Sequence, residues 1–137
     1  MRVFFDSSAF AKCYVREHGT GDVLHWCDEA SELVLSVTAI QEVISAFFRL
    51  RREGRLSAQE YEQMKIDLLA DVQGALVRDP APDAVRLAIN ALETHPLQGM
   101  HAIHVAAALA ATADVFVSAA VRHCQAAAHI GLSVVAL

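Results

Sequence analysis

The segment Arg2–Phe10, read as RVFFDSSAF, restricts the fold more than any other part of the chain. Val3, Phe4 and Phe5 form a short apolar run whose β-branched and aromatic content suits a buried strand. Asp6 closes the run, Ser7 and Ser8 follow, and a helical pattern begins at Ala9. A buried strand that passes through a carboxylate and small polar residues straight into a helix is the entry of an α/β fold. In such folds ligands bind beyond the carboxyl ends of parallel strands, where the strand order reverses. Asp6 is expected there. Its plainer role is to cap the first helix.

The rest of the chain repeats this alternation. Apolar runs at Leu33–Leu35, Val115–Val117 and Leu132–Leu137 predict further strands, with a shorter one at Leu76–Arg78. Helices are predicted from about Ala9 to Glu17, stopping at Gly19, and from a Thr20 cap to near Ala30. Thr38–Gln41 fits a Thr-x-x-Gln capping box opening a helix that stops near Gly54, and Ser57–Glu60 opens another that runs to about Val72. Three more are predicted: from Pro80 and Pro82 to Pro96, over Gln98–Ala111, and from about Ala120 to His129. Strands alternating with helices imply a parallel sheet with right-handed crossovers and helices on both faces. The 137 residues suit one domain over their whole length, with a sheet of four or five strands.

Composition narrows the setting. The net charge of −5 argues against strong non-specific nucleic-acid binding, although a local basic patch is compatible with it. Cys13, Cys27 and Cys124 form no Cys-x-x-Cys pair, so they read as buried free thiols in a reducing compartment. Charged Arg2 and Asp6 interrupt any signal-peptide pattern, and Ala102–Ala113 is too short to span a bilayer. A cytoplasmic, non-membrane setting is expected. At 55% hydrophobic residues, some apolar surface is expected to serve a partner or a homodimer. Adjacent Phe47 and Phe48 point the same way, because only one of them can face the core stripe of its helix.

Glu42 lies near the start of the helix after the second strand, among Ile40, Val43 and Ile44. A helix N-terminus favours an anion, which is the plain account of it. Paired with Asp6 at the same end of the sheet, it becomes a candidate metal ligand. Two converging carboxylates repel unless a cation lies between them, and oxygen-only ligands suit Mg²⁺ or Mn²⁺.

Four segments together resemble the PIN domains of VapC-type toxins, the toxin half of bacterial toxin–antitoxin pairs. They are Asp6-Ser7-Ser8-Ala9, then Ser36–Glu42, then His101-Ala102-Ile103-His104-Val105-Ala106, and finally Phe116–Ala120 with Ala126-Ala127 and Gly131-Leu132. The match runs in order over nearly the whole chain. The resemblance implies a three-layer α/β/α fold, metal-dependent endoribonuclease cleavage of RNA, and a small antitoxin partner that blocks the site.

Two of the four acids of that family are replaced, the third by His101 and the fourth by Ala120. Asp6 and Glu42 are left as the expected metal ligands, with Mg²⁺ or Mn²⁺ held weakly, and His101 as a substitute catalytic contact. His101 and His104 share a helix face at a spacing that could hold a transition metal, although the His104 position is usually structural in the family. Ser8, Lys12 and Ser118 are candidate substrate contacts, against plainer roles as helix cap or solvated surface. Asp114 precedes its strand and is expected at the opposite end of the sheet, as a turn residue. Arg49, Arg51, Arg52 and Arg55 crowd the end of one helix, where cations complement the helix dipole or meet RNA or an antitoxin. Two functions are compatible with these residues: a weakened metal-dependent endoribonuclease, or a catalytically silent PIN-fold protein that binds an antitoxin or RNA.

Overall fold

In a computed structural model of the chain, residues 1–79, 82–94 and 99–137 are described, with side chains for all of these except 84 and 99–101. Five strands, β1 (Arg2–Phe5), β2 (Glu32–Ser36), β3 (Leu76–Arg78), β4 (Val115–Ser118) and β5 (Ser133–Ala136), form one parallel sheet in the order β3-β2-β1-β4-β5. The chain winds outward from β1 in one direction, then returns and winds outward in the other. The strand order therefore reverses between β1 and β4, which is the switch point expected for Asp6.

Period-two alternation along β1 divides the core. Val3 and Phe5 face one layer with Leu35, Val115 and Val117. That layer is covered by helices α1 (Ser7–Phe10), α2 (Thr20–Glu29), α3 (Val37–Arg52) and α4 (Ala58–Gln73), through residues such as Phe10, Val23, Val43, Phe47 and Leu68. Phe4 faces the other way and stacks on Phe116 at 5.3 Å, against Val34 and the helices α6 (Gly99–Ala110) and α7 (Val121–His129). Helix α5 (Pro82–Thr94) packs outside α6 through Ala88 and Ala91 against Ala102 and Ala106. The result is the expected three-layer α/β/α arrangement. Alanine dominates α6 because two layers approach it from opposite sides. Each fully buried Phe contributes about 1.5–3 kcal/mol of apolar transfer free energy.

Ser57 forms the expected capping box with Glu60, each accepting from the other's backbone N–H at 3.0 Å. The Thr38 box does not form: Ser36 is the cap of α3, and Thr38 lies inside its first turn. The first helix is shorter than its apolar pattern suggested, ending at Phe10 and continuing as a 3-10 turn over Ala11–Cys13. Thr20 does not cap α2; Gly19, at φ 90°, does. The Thr20 hydroxyl instead accepts from Glu17 N–H and donates to the Val15 carbonyl, diverting backbone groups that a longer helix would use. The helix over Gln98–Ala111 is described from Gly99, and Pro80, Pro96 and Gln98 lie outside the described residues. No helix among the described residues is long and apolar enough to cross a membrane.

Candidate functional site at the carboxyl end of the sheet

Asp6 follows β1 at the switch point, and its backbone N–H continues the ladder to the Val117 carbonyl at 3.2 Å. Its side chain is 0% exposed and accepts four hydrogen bonds. Oδ1 accepts from the Ser8 hydroxyl at 2.6 Å and from Ala9 N–H at 3.0 Å. Oδ2 accepts from the Ser118 hydroxyl and from His123 Nδ1–H at 2.8 Å. Burial pushes the Asp6 carboxyl up. The bonds from His123, Ser118, Ser8 and Ala9 outweigh burial and hold it below the ordinary carboxylate range. The capping role is therefore real, since Ala9 is in the first turn of α1, and it is one of four contacts.

Glu42 sits one turn into α3, with its side chain 27% exposed. Ser7 donates to its Oε2 at 3.0 Å, and His104 Nε2–H donates to Oε1 at 2.7 Å. His104 is fully buried on α6, and its Nδ1 has no hydrogen-bond partner among the described residues. Consecutive residues Asp6 and Ser7 thus tie α7 and α3 to the end of β1. Beside them is a cavity of about 480 Å³, lined by Ser7, Ser8, Glu42, Ala120 and His123, with Arg49 and Arg55 from the end of α3 and the loop after it. Asp6 lies behind this lining.

The donor set does not make a ready divalent-cation site. An ionised carboxylate offers about four lone-pair directions, and all four of Asp6 are taken by protein donors. A cation reaching Asp6 has to displace a hydroxyl or the imidazole from a carboxylate with no exposed surface. Among the described residues, no group of three or more His, Cys, Asp or Glu side chains is placed to hold a metal.

The sequence-derived candidates fall into three groups. Ser8 and Ser118 are at the site, but their hydroxyls are spent on Asp6, and they also accept from Ala119 N–H at 3.1 Å and Ala120 N–H at 3.0 Å. Lys12 is bound to Glu17 at 3.0 Å. Asp114 is at the amino end of the sheet, accepting from Arg2 N–H at 2.7 Å. The side chain of His101 lies outside the described residues, so neither its substitute contact nor the His101–His104 pairing is placed. His123 is the residue that the sequence reading missed. It lies three residues beyond Ala120, between Arg122 and Cys124, and no spacing or motif in the sequence singles it out.

No family model and no curated protein matches the sequence. Solved structures do match its fold. VapBC-1 from nontypeable Haemophilus influenzae aligns over 99% of this chain and 98% of its own, with a TM-score of 0.70 and 17% identity. The chain has the fold of the VapC-type toxins. VapBC2 from Rickettsia felis, bound to a DNA fragment from its promoter, aligns over 100% of this chain and 99% of that one (TM-score 0.68, 10% identity). VapC20 from Mycobacterium tuberculosis, a Sarcin-Ricin loop cleaving toxin, aligns over 83% of this chain and 86% of its own (TM-score 0.63, 15% identity). The VapC-like, three-layer fold implied by the four segments is thus shown. At these identities the likeness carries architecture alone.

Proposed function

We propose that this chain is the toxin-type member of a toxin–antitoxin pair, acting on RNA phosphodiester bonds with weakened cleavage. The end-to-end structural likeness to the VapBC assemblies, in architecture, supports this reading. The strand-end cavity supports it: Glu42 and His123 line one part, and Arg49 and Arg55 supply positive charge for a phosphate backbone. Weak cleavage follows from the donor set, because His101 and Ala120 remove two negative charges and Asp6 is already saturated. Mg²⁺ or Mn²⁺ binding is correspondingly weak in this reading. The partner is a small antitoxin, the setting is cytoplasmic, and the chain pairs as a homodimer; light scattering with and without the antitoxin tests the assembly.

The deciding experiment is cleavage of a fluorophore-labelled RNA by metal-stripped protein, with Mg²⁺ or Mn²⁺ added back. Native protein is compared with Glu42→Gln and with the double substitution His101→Asp, Ala120→Asp. Glu42→Gln is preferred to a change at Asp6, because removing Asp6 would also disturb the fold. The expected result is slow native cleavage, lost in Glu42→Gln and raised at least about tenfold when two charges are restored. Silence of the native protein in every condition would overturn the enzymatic reading and leave a PIN-fold protein that binds an antitoxin or RNA.

A further inference from the structure

The crossover from β1 to β2 holds a pair of thiols that the strand-end site does not use. Cys13 ends the 3-10 turn after α1, and Cys27 lies in α2. Although separated by fourteen positions, their sulfurs are 3.8 Å apart. Both are partly exposed, whereas Cys124 is buried and bonded to the Ser118 carbonyl, so the expectation of three buried thiols holds only for Cys124. Cys13 and Cys27 also line one cavity of about 340 Å³, together with Tyr14, Leu24 and Asp71. Two sulfurs in van der Waals contact need to close by only about 2 Å to reach disulfide bonding distance.

We propose that Cys13 and Cys27 form a dithiol modification site that low-molecular-weight disulfides oxidise to an intramolecular disulfide. Either sulfur can attack first, because the contact between them has no fixed donor. With oxidised glutathione, one protein thiolate attacks one sulfur of the reagent. A mixed disulfide between that cysteine and glutathione forms, the glutathione S–S bond breaks, and the first glutathione thiolate leaves. The other cysteine then attacks the protein sulfur of the mixed disulfide, the protein disulfide forms, and the second glutathione thiolate leaves. Two protein thiols are oxidised, one glutathione disulfide is reduced to two thiols, and the two protein protons end on them. The bridge ties the turn that follows Ser7 and Ser8 to α2.

The test titrates the reduced chain with oxidised glutathione in the presence of a chelator, followed by intact-mass and peptide-mapping mass spectrometry. The expected native product has lost two hydrogens, retains no glutathione, and carries a Cys13–Cys27 bridge with Cys124 unmodified. Cys13→Ser and Cys27→Ser are each expected to form no bridge and to trap one glutathione on the remaining cysteine of the pair. In urea, where the fold no longer selects, Cys124 is expected to react as well. The bridged chain is expected to melt roughly 5–10 °C higher than the reduced one. A native chain that keeps its thiols across the titration, retains glutathione, or bridges through Cys124 would overturn the proposal. None of these readouts depends on RNA cleavage, so the two readings stand or fall separately.

Discussion

The two ends of β1 solve the same problem by opposite means. At the carboxyl end, a fully buried carboxylate gathers donors from α1, β4 and α7. At the amino end, the Arg2 guanidinium gathers acceptors: Glu32 at 2.7 Å from β2, and the Ala111 carbonyl and Thr112 hydroxyl at 2.9 Å. Both networks lock the central strand to its neighbours. They differ in solvent, since the Arg2 side chain is 45% exposed and Asp6 is 0%. Water can replace the partners of Arg2 and cannot replace those of Asp6. Contacts at the two ends therefore carry unequal weight.

The largest expected effect comes from Asp6→Ala. It strips acceptors from His123, Ser8 and Ser118 in a buried setting, and it should cost ~3–5 kcal/mol in chemical denaturation. A loss under 1 kcal/mol would erase the contrast between the two ends. The pH dependence follows from the same carboxylate. Its folded pKa lies below the unfolded value of 3.8, so its contribution is fully present above that pH. The contribution is lost as pH falls through the lower, folded value. Denaturation midpoints measured from pH 6 down to pH 2 should fall on the acid side, and Asp6→Asn should flatten that limb.

Next in size is the start of α7. Ala120 occupies the cap position with no side-chain hydrogen bond. Ala120→Asn should raise stability by ~1 kcal/mol through an ordinary cap. Ala120→Asp should gain less without divalent cation, because its charge adds to that of Asp6, and should gain more when Mn²⁺ is present. Thermal shifts of both variants, with and without Mn²⁺, measure whether one added charge makes this end cation-responsive. An Ala120→Asp chain indifferent to Mn²⁺ would mean that the Asp6 hydrogen bonds keep the cation out. The smallest effect is expected at the other end: Arg2→Ala should cost at most ~1 kcal/mol and should lose that cost in high salt.

The helices and strands were legible because their signals are local. Val3-Phe4-Phe5 and Val115-Phe116-Val117 read as buried strands before any partner is known, and Ser57 with Glu60 caps its own helix. The failures were also local and involve neighbouring polar groups: Thr20 bonds the backbone of Val15 and Glu17 instead of capping, and Ser36 takes the cap from Thr38. Phe47 and Phe48 divided as the helical period requires, the first buried and the second 41% exposed.

By itself the sequence determined the alternation of elements, the switch point at Asp6, and the position of two carboxylates, Asp6 after the first strand and Glu42 near the start of the helix after the second. Periodicity and residue type are properties of short stretches, and they act without knowledge of the rest of the chain. Only the tertiary structure decided what those carboxylates touch. His123 meets Asp6 across 117 positions, His104 meets Glu42 across 62, and Cys13 meets Cys27 between two separate turns of helix. Such contacts are set by which strands pair and which helix faces turn inward. For Asp6 they turn a carboxylate that reads in sequence as a metal ligand into one whose lone pairs are already filled by the protein.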